Sequence, residues 1–434
     1  MKPRKRFEYS SLVIEIYGGF GEVGGNCVVV VDGDRKLVFD YGIKYSVMRR
    51  YYGGRVEPLG PVEIIKLGVV TNPEVTEDAQ ALYISHLHLD HVGLLSAVYS
   101  STPIVFPDKD IAKVTIGSWY EKSPKWLAYV PPRYWDSTLS AKILSEDNNS
   151  VTAIPVSHSA YPAVSYMYMG REATLFYSGD LRLHPLAQLS PSLEEGLQKL
   201  GVENVDIAIV EGTNIGNPAP PMTRSGFEEI MLNSIRTFDG VIISVDPLDF
   251  EAMLYIYKVA EGSQRDVVIA SERIYWMLRI IYDKAPQYIN RTQAIIETLK
   301  HPPPVPLSSV SLVNEVFKDM KKYIVVAEPV HLLEHLRRLK VQGREIDLTN
   351  TIALLLDPEP RETVREVENR VLMQWLKMFG VQPQRVRLSG HYQPQHLKQL
   401  IQMLKPKQLI PIHTEEPELM LKLFEKEKCK STTQ

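Results

Sequence analysis

The segment ALYISHLHLDHVG, residues 81–93, constrains the fold of this chain more than any other part of the sequence. Its first four residues are small, apolar or aromatic and predict a short buried strand, and Gly93 favours a turn after which a helix begins. Between them, six residues carry three imidazoles and one carboxylate. His86 and His88 are two residues apart, so on an extended backbone they project to the same side.

Imidazole and carboxylate groups are the ligands that zinc and manganese prefer in proteins. Asp90 and His91 follow in the turn, where they are expected to face a second point close to the first. Three histidines and an aspartate at this spacing are not expected by accident in a chain with only 11 histidines among 434 residues. The segment therefore predicts a metal site at the end of a strand.

Composition limits the class of protein. The length of 434 residues with 44% hydrophobic content predicts two globular domains. No run of eighteen apolar residues occurs and the basic start MKPRKR lacks an apolar signal core, so we expect a cytoplasmic protein without a membrane partner. The net charge of −3 does not suit a basic nucleic-acid coat. The two cysteines, Cys27 and Cys429, are too few for a disulfide framework.

Three strands are predicted before the metal segment, at 12–16, 26–31 and 36–40. The glycine-rich loop 18–25 lacks the Lys-Ser/Thr ending of a phosphate-binding loop and leads into a strand, so we interpret it as a tight turn near the site. Asp40 ends the third strand, where it would either orient a metal ligand or cap a turn. Residues 44–80 are weakly periodic and predict a long loop, and residues 94–98 predict a helix.

Two later strand ends carry further candidate ligands. A strand over 151–158 ends at His158, and a second over 173–180 ends at Asp180. His158 would complete the coordination of the first metal ion, and Asp180 has two oxygens with which to bridge both ions.

From about residue 213 the pattern of apolar and polar residues changes. Apolar segments at 241–245, 266–270, 323–327 and 352–356 alternate with helical patterns, which predicts a parallel sheet wrapped by helices. A strand predicted over 385–388 then leads to Ser389, Gly390 and His391, and a strand over 408–412 ends at His413. His331 and His335 are four residues apart on a predicted helix, but no third ligand joins them in the sequence.

Together these residues resemble a known family. Asp40, the HLHLDH segment, His158 and Asp180 are similar to the four successive motifs of the metallo-β-lactamase fold, a four-layer αββα sandwich. Glu211-Gly212-Thr213, Ser389-Gly390-His391 and the segment 410–415 resemble the added motifs of the β-CASP nucleases, particularly ribonuclease J and archaeal β-CASP ribonucleases. The resemblance implies an α/β (α+β sandwich) fold. Its domains would be metallo-β-lactamase parts at 1–212 and 386–434 and an inserted α/β β-CASP domain on a parallel sheet at 213–385.

The resemblance also implies a role for each residue. One zinc ion would be held by His86, His88, His158 and Asp180, and the other by Asp90, His91, Asp180 and His413. Asp40 would orient a ligand, Glu211 would orient His391, and His391 would contact the scissile phosphate or protonate the leaving oxygen, with Ser389 and Gly390 beside the phosphate. Asp90 and Asp180 would serve catalysis through the metals. Tyr392 departs from the pattern, because many relatives have a small residue there.

The function expected from this resemblance is two-metal hydrolysis of single-stranded RNA, in a 5′-to-3′ exonucleolytic direction. Internal cleavage, DNA as a substrate, manganese in place of zinc and a homodimer stay open from the sequence. A DNA-processing β-CASP nuclease of the Artemis type would share every ligand. A thioester or lactone hydrolase would leave the inserted domain and the later histidine motifs without a purpose, and a non-catalytic RNA-binding subunit would be expected to lack ligands.

Overall fold

The computed structural model describes residues 2–53, 56–119, 127, 129–145, 151–189, 191–219, 221–281, 292–294, 313–341, 346–356 and 363–431. The chain forms two compact units. The first comprises Met1–Pro185, Ser190–Pro220 and Gly390–Gln434, and the second comprises Leu186–Leu189 and Pro221–Ser389. The assignment of these units to the metallo-β-lactamase and β-CASP domains, with the boundaries given above, stays a prediction.

The first unit contains two β-sheets. The larger sheet has seven strands, in spatial order β1 (Lys5–Tyr9), β2 (Leu12–Gly18), β3 (Cys27–Asp32), β4 (Arg35–Phe39), β5 (Ala81–Tyr83), β6 (Ile104–Phe106) and β7 (Leu139–Ser140). The smaller sheet has five, in spatial order β18 (Gln408–Ile412), β11 (Ile207–Glu211), β10 (Thr174–Tyr177), β9 (Ala163–Met169) and β8 (Val151–Val156). Strand β4 pairs parallel with β5, and β10, β11 and β18 are parallel neighbours.

The two sheets pack face to face. In β2, Leu12, Ile14 and Ile16 are buried while the residues between them are partly exposed, which is the period of two that a strand requires. These side chains join one apolar cluster with Tyr166 and Ile209 of the smaller sheet. The opposite face of the smaller sheet packs against three helices, α5 (Leu193–Lys199), α12 (Leu397–Leu404) and α13 (Pro417–Ser431). Helix α4 (Lys109–Trp119) follows β6.

The second unit has a six-stranded sheet in which every described pair of strands is parallel. Its spatial order is β14 (Thr292–Ala294), β13 (Asp266–Ile269), β15 (Tyr323–Ala327), β12 (Gly240–Ser244), β16 (Thr351–Leu355) and β17 (Gln382–Arg385). Its helices are α6 (Arg224–Thr237), α7 (Phe250–Ala260), α8 (Glu272–Ile281), α9 (Val313–Lys318), α10 (Pro329–Val341) and α11 (Thr363–Met378). The parallel sheet and the mixed α/β class predicted from the sequence are confirmed. Within the described ranges, no helix combines the length and apolarity that crossing a membrane requires.

Three local predictions are wrong. Residues 44–80 are not one long loop, because they contain α1 (Tyr45–Tyr52), α2 (Pro61–Lys66) and a 3₁₀ turn (Pro73–Thr76). Short helices of this kind depend on tertiary packing, as in α1, where Tyr52 is buried. They span too few residues for a helical period to be recognised in the sequence. The strand expected over 385–388 lies earlier, as β17, because its pairing with β16 ends where Arg385 meets Leu355.

The helix expected after Gly93 is the third error. Helix α3 (Leu89–Val92) instead ends at Gly93, and only a 3₁₀ turn (Leu95–Ala97) follows. A side chain at Gly93 would lie within 2.9 Å of the backbone of Gly42 and Ile43, so the glycine permits a close approach of two chain segments.

Candidate metal centre

The candidate ligands follow the ends of strands in both sheets of the first unit. Strand β5 leads to His86, β8 to His158, β10 to Asp180, β11 ends at Glu211 and β18 leads to His413. Because β10, β11 and β18 are parallel neighbours, their carboxyl ends lie at one edge of the smaller sheet. The structure brings the predicted ligands together at this end of the sandwich.

His86, His88 and His158 form one group that could hold a metal ion. The Nδ1 atom of His88 lies 3.2 Å from Nε2 of His86 and 3.2 Å from Nε2 of His158. The Oδ2 atom of Asp180 lies 3.8 Å from Nε2 of each of His86 and His158. These four side chains therefore converge on one small space.

Asp90, His91 and His413 form a second such group. The Nε2 atom of His413 lies 3.1 Å from Oδ2 of Asp90, and Nε2 of His91 lies 3.1 Å from Oδ2 of Asp180. The Oδ1 atom of Asp180 lies 3.6 Å from Nδ1 of His413. Asp180 is thus the side chain that both groups share.

The donor set fits a divalent metal ion. Burial and neighbouring imidazoles hold the pKa of His86 and of His158 well below the usual value, so both rings are neutral and have lone pairs to donate. Burial opposes ionisation of Asp180, but His413 and His91 outweigh it and hold the pKa well below the usual value. The buried Oδ1 atom of Asp180 accepts no hydrogen bond from the residues that the structure describes. A buried ionised oxygen in this state is expected to have a cation as its partner.

Asp40 supports the ligands without joining the converging groups. Its Oδ2 lies 2.7 Å from Nδ1 of His91 and accepts hydrogen bonds from the hydroxyls of Tyr177 (2.6 Å) and Ser85 (2.8 Å). Its Oδ1 accepts from the Ser85 amide. Asp40 has a φ of 57°, and these contacts hold it in that strained region. Of the two roles open from the sequence, the geometry favours orientation of His91.

His391 and Glu211 lie beside the converging ligands. The Nδ1 atom of His391 lies 3.1 Å from Oε1 of Glu211 and 3.9 Å from Oδ2 of Asp180. Burial by itself would lower the pKa of His391. The negative charges of Glu211 and Asp180 outweigh burial, so the pKa of His391 is raised. The other oxygen of Glu211 accepts a hydrogen bond from the Thr213 amide (2.9 Å). The arrangement holds a buried imidazole that binds a proton more strongly than usual.

The neighbours of His391 have structural roles. The Gly390 carbonyl lies 2.7 Å from Nδ1 of His158, and a side chain at Gly390 would collide with Ser159. Tyr392 is buried, and its hydroxyl donates a hydrogen bond to the Glu211 carbonyl. The tyrosine at this position therefore packs in the core beneath the site. Ser389 is the last residue of the second unit.

Three further residues contact candidate ligands, and the sequence assigned none of them a role of its own. The Thr213 hydroxyl lies 2.7 Å from Nδ1 of His413, the Ser85 hydroxyl lies 3.0 Å from Nδ1 of His86, and Nδ2 of Asn26 lies 3.3 Å from Nε2 of His91. Thr213 belongs to the quoted Glu211-Gly212-Thr213 motif and Ser85 precedes His86, so the sequence carries a weak signal for both. Asn26 follows the glycine loop and gives none, because 65 positions separate it from His91.

Known proteins with detectable sequence similarity match nearly the whole chain. No family model matches. The chain is 21% identical to ribonuclease J of Pyrococcus abyssi (93% of this chain, 90% of that protein) and 23% identical to ribonuclease J of Methanocaldococcus jannaschii (93% and 91%). It is 20% identical to ribonuclease J2 of Bacillus subtilis, of which it covers 68%.

A solved structure, a protein of unknown function from Enterococcus faecalis V583, is similar in fold. Its TM-score is 0.68 at 18% identity, over 94% of this chain and 96% of the other. Relatives named ribonuclease J in archaea and bacteria, together with the motifs described above, show that this chain resembles the β-CASP ribonuclease J family along nearly its whole length.

Proposed function

We propose that this protein is a two-metal phosphodiesterase that hydrolyses single-stranded RNA. The observation that carries the proposal is the position of Asp180, within 4 Å of ligand atoms from both groups of candidate metal ligands and of His391. The relatives named ribonuclease J indicate a hydrolase of phosphodiester bonds in RNA.

The proposed ligands of the first zinc ion are His86, His88, His158 and Asp180. Those of the second are Asp90, His91, Asp180 and His413. Manganese suits the same shells, because histidine and carboxylate ligands bind both metals. The convergence of these side chains and the buried Oδ1 of Asp180 support this assignment.

Two bound ions would lower the pKa of a shared water toward neutrality and neutralise the phosphate oxygens during an in-line displacement. The remaining chemistry belongs to His391. Its raised pKa favours the imidazolium, which can pair with a phosphate oxygen or give a proton to the leaving oxygen. Glu211 lies against Nδ1 of this ring and fixes its orientation. Ser389 and Gly390 complete the proposed phosphate contact.

We propose 5′-to-3′ exonucleolytic cleavage, which is supported only by the likeness to ribonuclease J. The test is incubation of end-labelled RNAs bearing 5′-monophosphate, 5′-triphosphate or 5′-hydroxyl ends with the purified protein. Release of mononucleotides from the labelled 5′ end is the expected result, and discrete internal fragments would overturn the direction while leaving a ribonuclease.

The same assay tests the substrate class. A DNA oligonucleotide of identical sequence should be cut more slowly than the RNA, and faster cleavage of DNA would contradict the proposal. Hydrolysis of thioesters or lactones with no cleavage of either nucleic acid would exclude a nuclease.

The cytoplasmic location and the homodimer stay predictions.

A further inference from the structure

Asn26 lies between two segments that hold the second proposed ion. Its amide donates to the carbonyl of Asp90 (3.0 Å), and its carbonyl accepts from the amide of Gly42 (2.9 Å), two residues after Asp40. The residue is 1% exposed. These backbone contacts keep the Asn26 carboxamide in the interior, beside the ligands.

One atom of this carboxamide lies at the distance expected of a metal ligand. Nδ2 of Asn26 is 3.3 Å from Nε2 of His91. That ring nitrogen is also 3.1 Å from Oδ2 of Asp180, while Nδ1 of the same ring faces Asp40. Two atoms that bind one ion through bonds of about 2.0–2.2 Å are roughly 3.0–3.6 Å apart. The carboxamide is therefore as near to His91 as a further ligand of the same ion would be.

The oxygen of the carboxamide has no hydrogen-bond partner. Oδ1 of Asn26 is buried and accepts no hydrogen bond from the residues that the structure describes. It packs against Gly19, where an added Cβ atom would lie 2.3 Å from it. A buried polar atom in this state is rare in proteins. A half-turn about the Cβ–Cγ bond exchanges Oδ1 with Nδ2 and leaves the shape of the side chain nearly unchanged.

Binding of a metal ion favours this half-turn. The N–H that faces Nε2 of His91 competes for the lone pair that the ion needs, and its hydrogen carries a positive partial charge. The carboxamide oxygen carries lone pairs and can bind a cation from the same place. We propose that Asn26 turns Oδ1 toward the second ion and binds it as a fifth ligand. The other four ligands are Asp90, His91, Asp180 and His413.

A fifth ligand makes the two metal positions chemically different. The first would have three imidazoles and one carboxylate, a set typical of zinc. The second would have two imidazoles, two carboxylates and an amide oxygen, and carboxylate and carbonyl oxygens suit manganese. We therefore expect the second position to bind Mn²⁺ more tightly than the first does. This inference rests on the proposed two-ion site, but it does not require RNA to be the substrate.

The test is a titration of the intact, chelator-treated protein with Mn²⁺, in which electron paramagnetic resonance measures the free ion. Asn26→Ala removes the carboxamide, and Asn26→Asp keeps an oxygen in its place but has no N–H. The matched control is Asn214→Ala. Asn214 is 2% exposed, its Nδ2 donates to the Tyr392 carbonyl (2.9 Å), and it is in none of the groups that could hold a metal ion. Urea unfolding in chelating buffer checks that each variant is folded.

The wild type should bind about two Mn²⁺ ions per chain, one more tightly than the other. Asn26→Ala should raise the Kd of the tighter ion about 10- to 100-fold, the range for loss of a group that supports a metal, and leave the other Kd nearly unchanged. Asn26→Asp should bind both ions at least as tightly as the wild type, because its carboxylate keeps the oxygen and adds a negative charge. Asn214→Ala should bind like the wild type.

Unchanged Mn²⁺ binding by Asn26→Ala would overturn the assignment of Asn26 as a ligand. Equal weakening in Asn26→Ala and Asn26→Asp would also overturn it, because the N–H and not the oxygen would then be the group that matters. Wild-type protein that binds fewer than two ions would contradict the two-ion site and the fifth ligand together. Two bound ions with the expected effects of the Asn26 variants, but no cleavage of RNA, would disprove the proposed substrate alone.

Discussion

The Nδ1 atom of His391 lies 3.1 Å from Oε1 of Glu211, although 180 residues separate them in the chain. Such a carboxylate fixes the orientation of the ring and favours its protonated form, which is how a general acid is prepared. The His391 ring lies 3.9 Å from Asp180, and His391 also belongs to two groups whose ligand atoms are close enough to hold a metal ion. A role on the substrate and a role as a metal ligand therefore give different expected results when His391 is replaced.

Replacement of His391 by alanine tests that role. His391→Ala should lower kcat for RNA by about 10²- to 10⁴-fold, the range for general acid–base groups, while elemental analysis still finds about two metal ions per chain. His396→Ala is the matched control, since its ring contacts that of His184 and belongs to neither ligand group. Loss of a metal ion from His391→Ala would show that His391 is a ligand.

Metal binding should stabilise the fold. Free zinc at about 100 times its Kd adds roughly 2.7 kcal/mol to the free energy of unfolding, so the Tm should rise by several degrees and fall again with a chelator. Asp180→Asn should abolish most of this shift, because its carboxylate faces both ligand groups. Asp136→Asn, which changes an exposed aspartate, should keep it. An identical zinc-dependent rise in Tm for Asp180→Asn would contradict the shared-ligand assignment.

Tyr392→Phe removes only the hydroxyl that donates to the Glu211 carbonyl. A buried carbonyl left without its donor costs about 1–3 kcal/mol in the free energy of unfolding, which urea titration measures. Because that carbonyl belongs to the residue that orients His391, kcat should fall several-fold with KM nearly unchanged. Tyr255→Phe, which breaks a hydrogen bond to Glu228 in the second unit, is the control and should leave kcat alone. Equal kcat values for Tyr392→Phe and the wild type would remove Tyr392 from the positioning of the site.

His335 should make stability depend on pH. Its Nε2 donates to the Ala270 carbonyl (2.8 Å), its buried Nδ1 has no hydrogen-bond partner among the described residues, and burial lowers the pKa of the ring. A lowered folded-state pKa means that the unfolded chain takes up the proton first. The stabilisation is therefore complete above the ordinary pKa of about 6.5 and is lost as the pH falls below it.

His335→Gln keeps an N–H donor and cannot titrate. Urea unfolding at about pH 7.5 and about pH 5.5, in one chelating buffer, should show a smaller fall in the free energy of unfolding for the variant than for the wild type. The same fall in both proteins would rule out a contribution from His335.

The sequence by itself determined the mixed α/β class, the parallel sheet of the second unit and most strand positions, because periodicity and turn residues act over a few neighbouring positions. It also singled out His86, His158 and Asp180, since chemically informative residues at strand ends stand out without any knowledge of contacts. The sequence did not predict short helices such as α1, because tertiary packing, here the burial of Tyr52, stabilises such a helix more than its local pattern does.

The tertiary structure alone decided which atoms meet. It placed Asp180 between two groups of ligands, brought His391 against Glu211, and brought Asn26 and Thr213 into contact with His91 and His413. These approaches join positions far apart in the chain, and no local pattern encodes a distance of that kind. They arise because parallel strands from separate segments end at one edge, where each contributes a single side chain to a shared space.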